Sequence, residues 1–266
     1  MNDEIEESVE TRLRAQGLDW IVPDWHARAR VQALVTTRNG GASREAYATM
    51  NLGRRTDDDP EALAENSRRL AAFLPAPPVW MEQVHGPTVV TLGATPPAVP
   101  PVADAAVTRE IHVVCAVLVA DCLPIIFADR KGAAVGVAHA GWRGLAAGVV
   151  EATVSAFAGI GVAPESLIAW IGPGIGPSAF EVGSDVVHAF AATDRDAHNC
   201  FTPSHEGKWL ADLPALARRR LGAAGVTTVT GGGFCTFRDS ARFFSYRRER
   251  ASGRMAALAW LDGGRV

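Results

Sequence analysis

From Val31 onward the chain alternates short apolar runs with turn residues, and the spacing predicts strands more often than helices. Strands are expected at residues 31–37, 79–84, 88–92, 105–108, 111–119, 124–128, 133–138, 167–171, 226–230 and 255–261. Residues 60–73 have helical spacing, with Leu63, Leu70 and Phe73 on one face. Residues 144–157 carry small and apolar side chains on nearly all sides, as a buried helix does. Further helices are expected at 184–191 and 210–221, the latter with Arg218, Arg219 and Arg220 near its C-terminal end, where cations are favoured. The proline-rich stretch 96–101 reads as a loop within one domain, because strand-like sequence resumes at Ala105. Strands and helices follow in irregular order. The expectation is therefore a single α/β (α+β) domain, residues 31–266, of mixed β-sheets covered by helices, preceded by a polar leader at residues 1–30.

Composition narrows the function more than the fold. The 266 residues are 48% hydrophobic and 21% charged, ordinary values for a globular chain. The formal charge of −3 is spread along the sequence without a basic stripe, which argues against nucleic acid as a partner. No apolar run approaches the ~18 residues of a membrane span, so no membrane partner is expected. Residues 1–7 are acidic where a secretory signal needs positive charge, and four cysteines do not make a disulfide framework in a chain this long. A cytoplasmic protein is expected; the sequence is silent on oligomeric state.

Three potential metal ligands, His85, Cys122 and His139, each follow an apolar run and precede Gly, Pro or a short turn. Strand ends can converge although far apart in sequence, and a His/Cys/His set suits zinc while leaving a fourth position open. Pattern alone leaves the alternative standing that these are core residues. His139 runs into Gly141-Trp142-Arg143-Gly144 and the expected buried helix, where free amides and Arg143 can hold an anion, or Arg143 can simply face solvent. The segment Gly172-Pro173-Gly174-Ile175-Gly176-Pro177 resembles a phosphate loop, but its prolines remove amide donors, so a turn lining a pocket is the better reading.

Taken in order, a set of short motifs resembles the YfiH family, also called laccase-domain or PgeF-type proteins. They are Thr37-Arg38-Asn39-Gly40-Gly41 with Asn51-Leu52-Gly53, Gln83-Val84-His85-Gly86, Ala103-Asp104-Ala105, Ala120-Asp121-Cys122, and His139-Ala140-Gly141-Trp142-Arg143-Gly144. Ile171-Gly172-Pro173, Phe180-Glu181-Val182-Gly183, Cys235-Thr236 and Phe244-Ser245-Tyr246-Arg247-Arg248 complete the set, which covers roughly residues 31–262. The resemblance implies a core similar to the catalytic domain of cytotoxic necrotizing factor. It also implies a zinc held by His85, Cys122 and His139, and phosphorolysis of purine nucleosides (adenosine, inosine, methylthioadenosine) together with adenosine deamination. Arg38, Arg143 and Arg247 are then candidate phosphate cradles, Asn51 a substrate-binding candidate, and Asp121 a candidate for proton handling or ligand orientation.

Three other readings compete. A multicopper phenol oxidase needs many histidines, whereas this chain has 7 and no His-x-His pair; copper bound by the same three ligands remains an expectation in vitro. A peptidoglycan-precursor editing hydrolase would use Cys122 and His139 as nucleophile and base. A purine-binding protein would use the same pocket without turnover.

Overall fold

The computed structural model describes residues 8–263. In chain order the elements are α1 (Val9–Ala15), β1 (Val31–Val35), α2 (Pro60–Ala71), β2 (Val89–Leu92), β3 (Ala105–Thr108), β4 (Cys115–Val119), β5 (Leu123–Asp129) and β6 (Val135–Ala140). They continue with α3 (Trp142–Ala146), α4 (Val149–Gly159), β7 (Leu167–Ile171), β8 (Glu181–Gly183), α5 (Ser184–Ala191), β9 (Phe201–Pro203) and β10 (Lys208–Ala211). The last four are α6 (Leu213–Ala223), β11 (Thr228–Gly231), α7 (Tyr246–Glu249) and β12 (Met255–Leu261).

A six-stranded mixed sheet, ordered β11-β7-β5-β6-β3-β2, forms the centre. Side chains alternate across a strand, so β5 sends Ile125 and Phe127 to one face and Ile126 and Ala128 to the other. The first pair packs with Val149, Val154 and Phe157 of α4 and Leu216 of α6. The second packs against the inner face of a three-stranded antiparallel sheet, β1-β12-β4, through Ala33, Val117 and Ala257. The outer face of that smaller sheet, with Leu34, Leu258 and Trp260, is covered by Leu70 of α2 and by Val9 and Leu13 of α1. The order of layers is helix, sheet, sheet, helix. Strands buried on both faces are predominantly apolar, which is why the middle of the sequence lacks strict alternation.

Several expectations change in detail. The polar leader is, from Ser8 on, a packed part of the body: Ser8 caps α1, and Val9, Leu13 and Trp20 are buried. Residues 1–7 of that leader lie outside the described residues. Residues 79–84 form no strand and pair only at the single bridges Val79–Cys115 and Glu82–Val102. The helix expected at 144–157 is two, α3 and α4, broken at Gly148 in the left-handed region (φ +96°). The helix expected from residue 210 starts at Leu213, capped by Asp212 accepting from the Ala215 amide at 2.9 Å. Residues 208–211 instead form β10, the middle of a small sheet β8-β10-β9 that the pattern did not reveal.

Candidate metal centre

β5 and β3 both run antiparallel to β6, so their first residues lie beside the last residues of β6. Pro124 pairs with His139, and Ala105 with Ala138. Cys122, just before β5, Asp104, just before β3, and His139, inside β6, therefore meet at one end of the central sheet. His85 arrives on the loop leading to β2. The ligand atoms of His85, Cys122 and His139 all lie within 4.8 Å of one another. The two imidazoles meet edge to face, centroids 4.7 Å apart. Gly141 completes the cradle, because a Cβ there would stand 2.6 Å from Cys122 Sγ and 3.2 Å from His85 Cδ2.

Asp104 organises the cluster. Fully buried, its carboxylate accepts from His139 Nδ1 at 2.8 Å and from the amides of Val84, His85 and Gly86 at 3.1, 2.9 and 2.8 Å. Its carbonyl accepts from the His139 amide at 2.7 Å. With Nδ1–H donated to a carboxylate, Nε2 of His139 is left for the cluster, the arrangement typical of metal-bound histidine. The three amide bonds also hold His85, whose φ of +60° is uncommon for a residue with a side chain. Asp104 stood in the sequence only as part of a motif. Its signal was an acid between two alanines at the start of an apolar strand.

Burial alone would raise the Cys122 thiol, but the charge of His139 and hydrogen bonds from His139 and His85 outweigh it and bring it down to about 6. Burial would lower His139, yet the Cys122 charge and the Asp104 hydrogen bond carry it up to about 9. For Asp104 burial works upward, and the His139 bond with the backbone amides wins, leaving the carboxyl below its usual range. The metal-free centre is thus a thiolate beside an imidazolium. A dinitrogen–thiolate donor set of this kind fits zinc, and it also accepts copper.

The centre opens on a cavity of about 720 Å³. Trp80, Leu118, Trp142 and Phe180 supply apolar wall, while Tyr246, Arg247 and Arg254 add polar groups. Asp121 lines it, in the left-handed region (φ +83°), with its carboxylate accepting from Thr236 Oγ1 at 2.6 Å and the Arg247 amide at 2.7 Å. Arg247 lies over the Phe180 ring and donates to the Glu181 carbonyl at 2.8 Å. Asn51 is fully buried and does not line the cavity; its Oδ1 accepts from the Gly53 and Arg254 amides, each at 2.8 Å. Arg38 is held by Ala48, Ser240 and Glu249 and stacks on Phe244, outside the cavity wall. Arg143 is exposed, stacked on Trp142, and also outside it. Ile175, in the Gly/Pro turn, does line the cavity.

The profile of the family described as multi-copper polyphenol oxidoreductase laccase matches residues 32–262. A protein named purine nucleoside phosphorylase YfiH, from Escherichia coli, is 49% identical over 243 residues, covering 91% of this chain and 98% of that protein. The chain belongs to the YfiH family. A second YfiH-family relative, a purine nucleoside phosphorylase of Pseudomonas aeruginosa, is 54% identical over 244 residues, 91% of this chain and 98% of its own length. The solved structure of a Neisseria meningitidis protein of family DUF152 superposes with a TM-score of 0.88 at 46% identity, over 92% of this chain and all of that one. YlmD from Geobacillus stearothermophilus gives 0.82 at 33% identity, over 88% and 93%. The mixed α/β domain expected from sequence is thus the YfiH fold. No helix among the described residues is long and apolar enough to cross a membrane.

Proposed function

We propose that this chain is a cytoplasmic, zinc-dependent purine nucleoside phosphorylase acting on adenosine, inosine and methylthioadenosine, with adenosine deaminase activity at the same site. The observation that carries this reading is the convergence of His85, Cys122 and His139 at a cavity with aromatic walls and arginines, in a chain about half identical to proteins named purine nucleoside phosphorylase. The free state of all four cysteines suits a reducing compartment.

His85, Cys122 and His139 would hold the zinc, with Asp104 fixing the tautomer of His139. When bound, zinc would supply Lewis acidity to a polar group of the substrate. The rest falls to the chain. Trp80, Trp142 and Phe180 offer flat faces for a purine, and a ring enclosed there is shielded from water. In phosphorolysis an oxygen of hydrogen phosphate bonds to the anomeric ribose carbon as the bond from that carbon to the purine nitrogen breaks. The bonding electrons leave with the base, the phosphate's proton goes to the base, and ribose 1-phosphate remains. Arginine supplies the positive charge that brings the phosphate dianion to this centre. Deamination replaces the 6-amino group by oxygen from water and releases ammonia, so it runs without phosphate.

The phenol-oxidase reading has one fewer support: among the described residues a single cluster of three ligands is found. A second reading does have a specific observation behind it. Cys122, His139 and Asp104 are linked in the order of a thiol nucleophile, base and orienting acid, as peptidoglycan-precursor editing would require. His85 supports the metal reading over this one, because a thiol dyad has no use for a second histidine on the sulfur.

The test is a product assay on protein of measured metal content, with adenosine or inosine and with or without phosphate. Phosphate-dependent release of free base supports phosphorolysis; no consumption of either nucleoside by zinc-loaded protein contradicts it.

A further inference from the structure

Of the arginines expected at the phosphate, Arg38 and Arg143 lie outside the cavity and only Arg247 lines it. Another, Arg254 of the segment Ala251-Ser252-Gly253-Arg254, to which the sequence reading gave no role, stands in the same wall. Arg254 immediately precedes β12 and is half-buried. Its amide and that of Gly53 share the Oδ1 of the fully buried Asn51. Its stem rests on Gly53, where a Cβ would come within 2.8 Å of Arg254 Cγ. Two buried features therefore fix where this side chain goes.

Among the described residues no carboxylate forms an ion pair with Arg254. Nη1 donates to the carbonyls of Ser252 and Gly253 at 2.6 and 3.0 Å, and the guanidinium lies 5.9 Å from the Tyr246 ring centroid. Its hydrogen-bond acceptors are neutral, and among the described residues neither Nε nor Nη2 has a protein hydrogen-bond partner. Arg247 is alike: among the described residues its side chain hydrogen-bonds only to the Glu181 carbonyl. Arg55, in the same cavity wall, contrasts with both, being paired with Glu82 at 2.7 Å. Burial makes the Arg254 cation less favourable, against the pull of Cys122 and Asp121, so it sits close enough to the metal centre to feel both. A half-buried guanidinium without a counter-ion, held in place beside a catalytic centre, is a receptor for an oxyanion.

We infer that Arg254, together with Arg247, binds the phosphate co-substrate, and that Asn51 and Gly53 are positioning residues that set Arg254 in the cavity wall. The inference rests on the phosphorolysis reading for the identity of the anion. Recognition falls on a phosphate dianion, which a nucleoside monophosphate also carries.

The experiment is steady-state phosphorolysis of inosine by the full-length, zinc-loaded chain with phosphate varied, for wild type, Arg254→Gln, Arg254→Lys, Arg247→Gln and Arg143→Gln. Arg254→Gln is expected to raise the phosphate KM at least tenfold with the inosine KM within threefold and zinc content unchanged. Arg254→Lys falls between, because it keeps charge and loses the planar fork. Arg247→Gln, altered at an exposed side chain, is expected to raise it at least threefold and keeps the test open if Arg254 variants do not fold. An unchanged phosphate KM in the Arg254 and Arg247 variants, or a rise confined to Arg143→Gln, overturns the inference. If wild type consumes no inosine, phosphorolysis fails by itself, and calorimetric titration with inorganic phosphate decides. Binding lost in Arg254→Gln supports the site. No binding by wild type, equal binding by the variant, or a loss seen only for adenosine 5′-monophosphate overturns it.

Discussion

His139 Nδ1 lies 2.8 Å from Asp104 Oδ1, and the same carboxylate gathers three consecutive amides of the loop that carries His85. One buried acid thus orients two of the three candidate ligands. Replacing Asp104 by Asn keeps its shape and removes the charge that fixes the His139 tautomer. Zinc affinity is expected to fall roughly 10–100-fold, the usual cost of losing such a partner, measured by competition with a chromogenic chelator. Unchanged affinity would show that Asp104 serves only the loop.

Metal binding should be strongly pH-dependent. In the metal-free protein His139 holds its proton up to about 9, whereas Cys122 has lost its own above about 6. Between those values binding must expel one proton, from His139, so affinity rises about tenfold per pH unit and levels off above about 9. Below about 6 the thiol must also be deprotonated, and affinity falls more steeply. Folding stability of the metal-free protein behaves differently. The lowered Cys122 contributes above its unfolded value and loses that contribution as pH falls through about 6; the raised His139 contributes below its unfolded value and loses it as pH rises through about 9. The two trade one proton, so melting temperature should change little between those limits. Chelator competition and thermal melts across pH 5–10 check both statements.

Alkylation distinguishes the thiolate's two uses. In metal-free protein Cys122 is expected to react with iodoacetamide with a midpoint near pH 6, well below an ordinary thiol, and zinc should protect it. Cys115, buried and pushed up to about 12, should stay unmodified at neutral pH. Peptide mass mapping reads each site. Rapid alkylation of zinc-loaded protein would favour the nucleophile reading.

Gly141→Ala tests the cradle without touching a ligand. The backbone there (φ −65°) accepts any residue, so the fold should survive, but the added methyl would press on Cys122 Sγ at 2.6 Å. Zinc affinity is expected to drop at least tenfold, with circular dichroism unchanged.

Asp121, next to Cys122, is a latch between that loop and the cavity wall, its carboxylate accepting from Thr236 and from the Arg247 amide. Asp121→Asn keeps the left-handed backbone accessible and loses the charged acceptor. A destabilisation of about 1.5–3 kcal/mol is expected, with a raised phosphate KM as Arg247 loosens. Denaturant melts and kinetics measure the two parts separately.

Much of this was legible in the residue pattern, and what was missed has physical causes. Strands β5, β7 and β12 are long apolar runs, and burial on both faces makes such runs conspicuous. The β8-β10-β9 sheet is short and half-exposed, with Lys208, Thr202 and Glu181 in its strands, so it carries little hydrophobic signal. His85, Cys122 and His139 could be named singly because each ended an apolar run. Their convergence depends on β3 and β5 flanking β6, a pairing that one sequence does not reveal. Arg38, Arg143 and Arg254 look alike as letters; only the fold sends the first two to Phe244 and Trp142 and the third into the cavity.

The most direct test is the release of free base from inosine by protein carrying a measured amount of metal, in wild type and Cys122→Ala, with and without phosphate. One zinc per chain and phosphate-dependent release of base are expected in wild type, with both lost in the variant. Undiminished release by metal-free Cys122→Ala, or no release by zinc-loaded wild type, would contradict the proposed function.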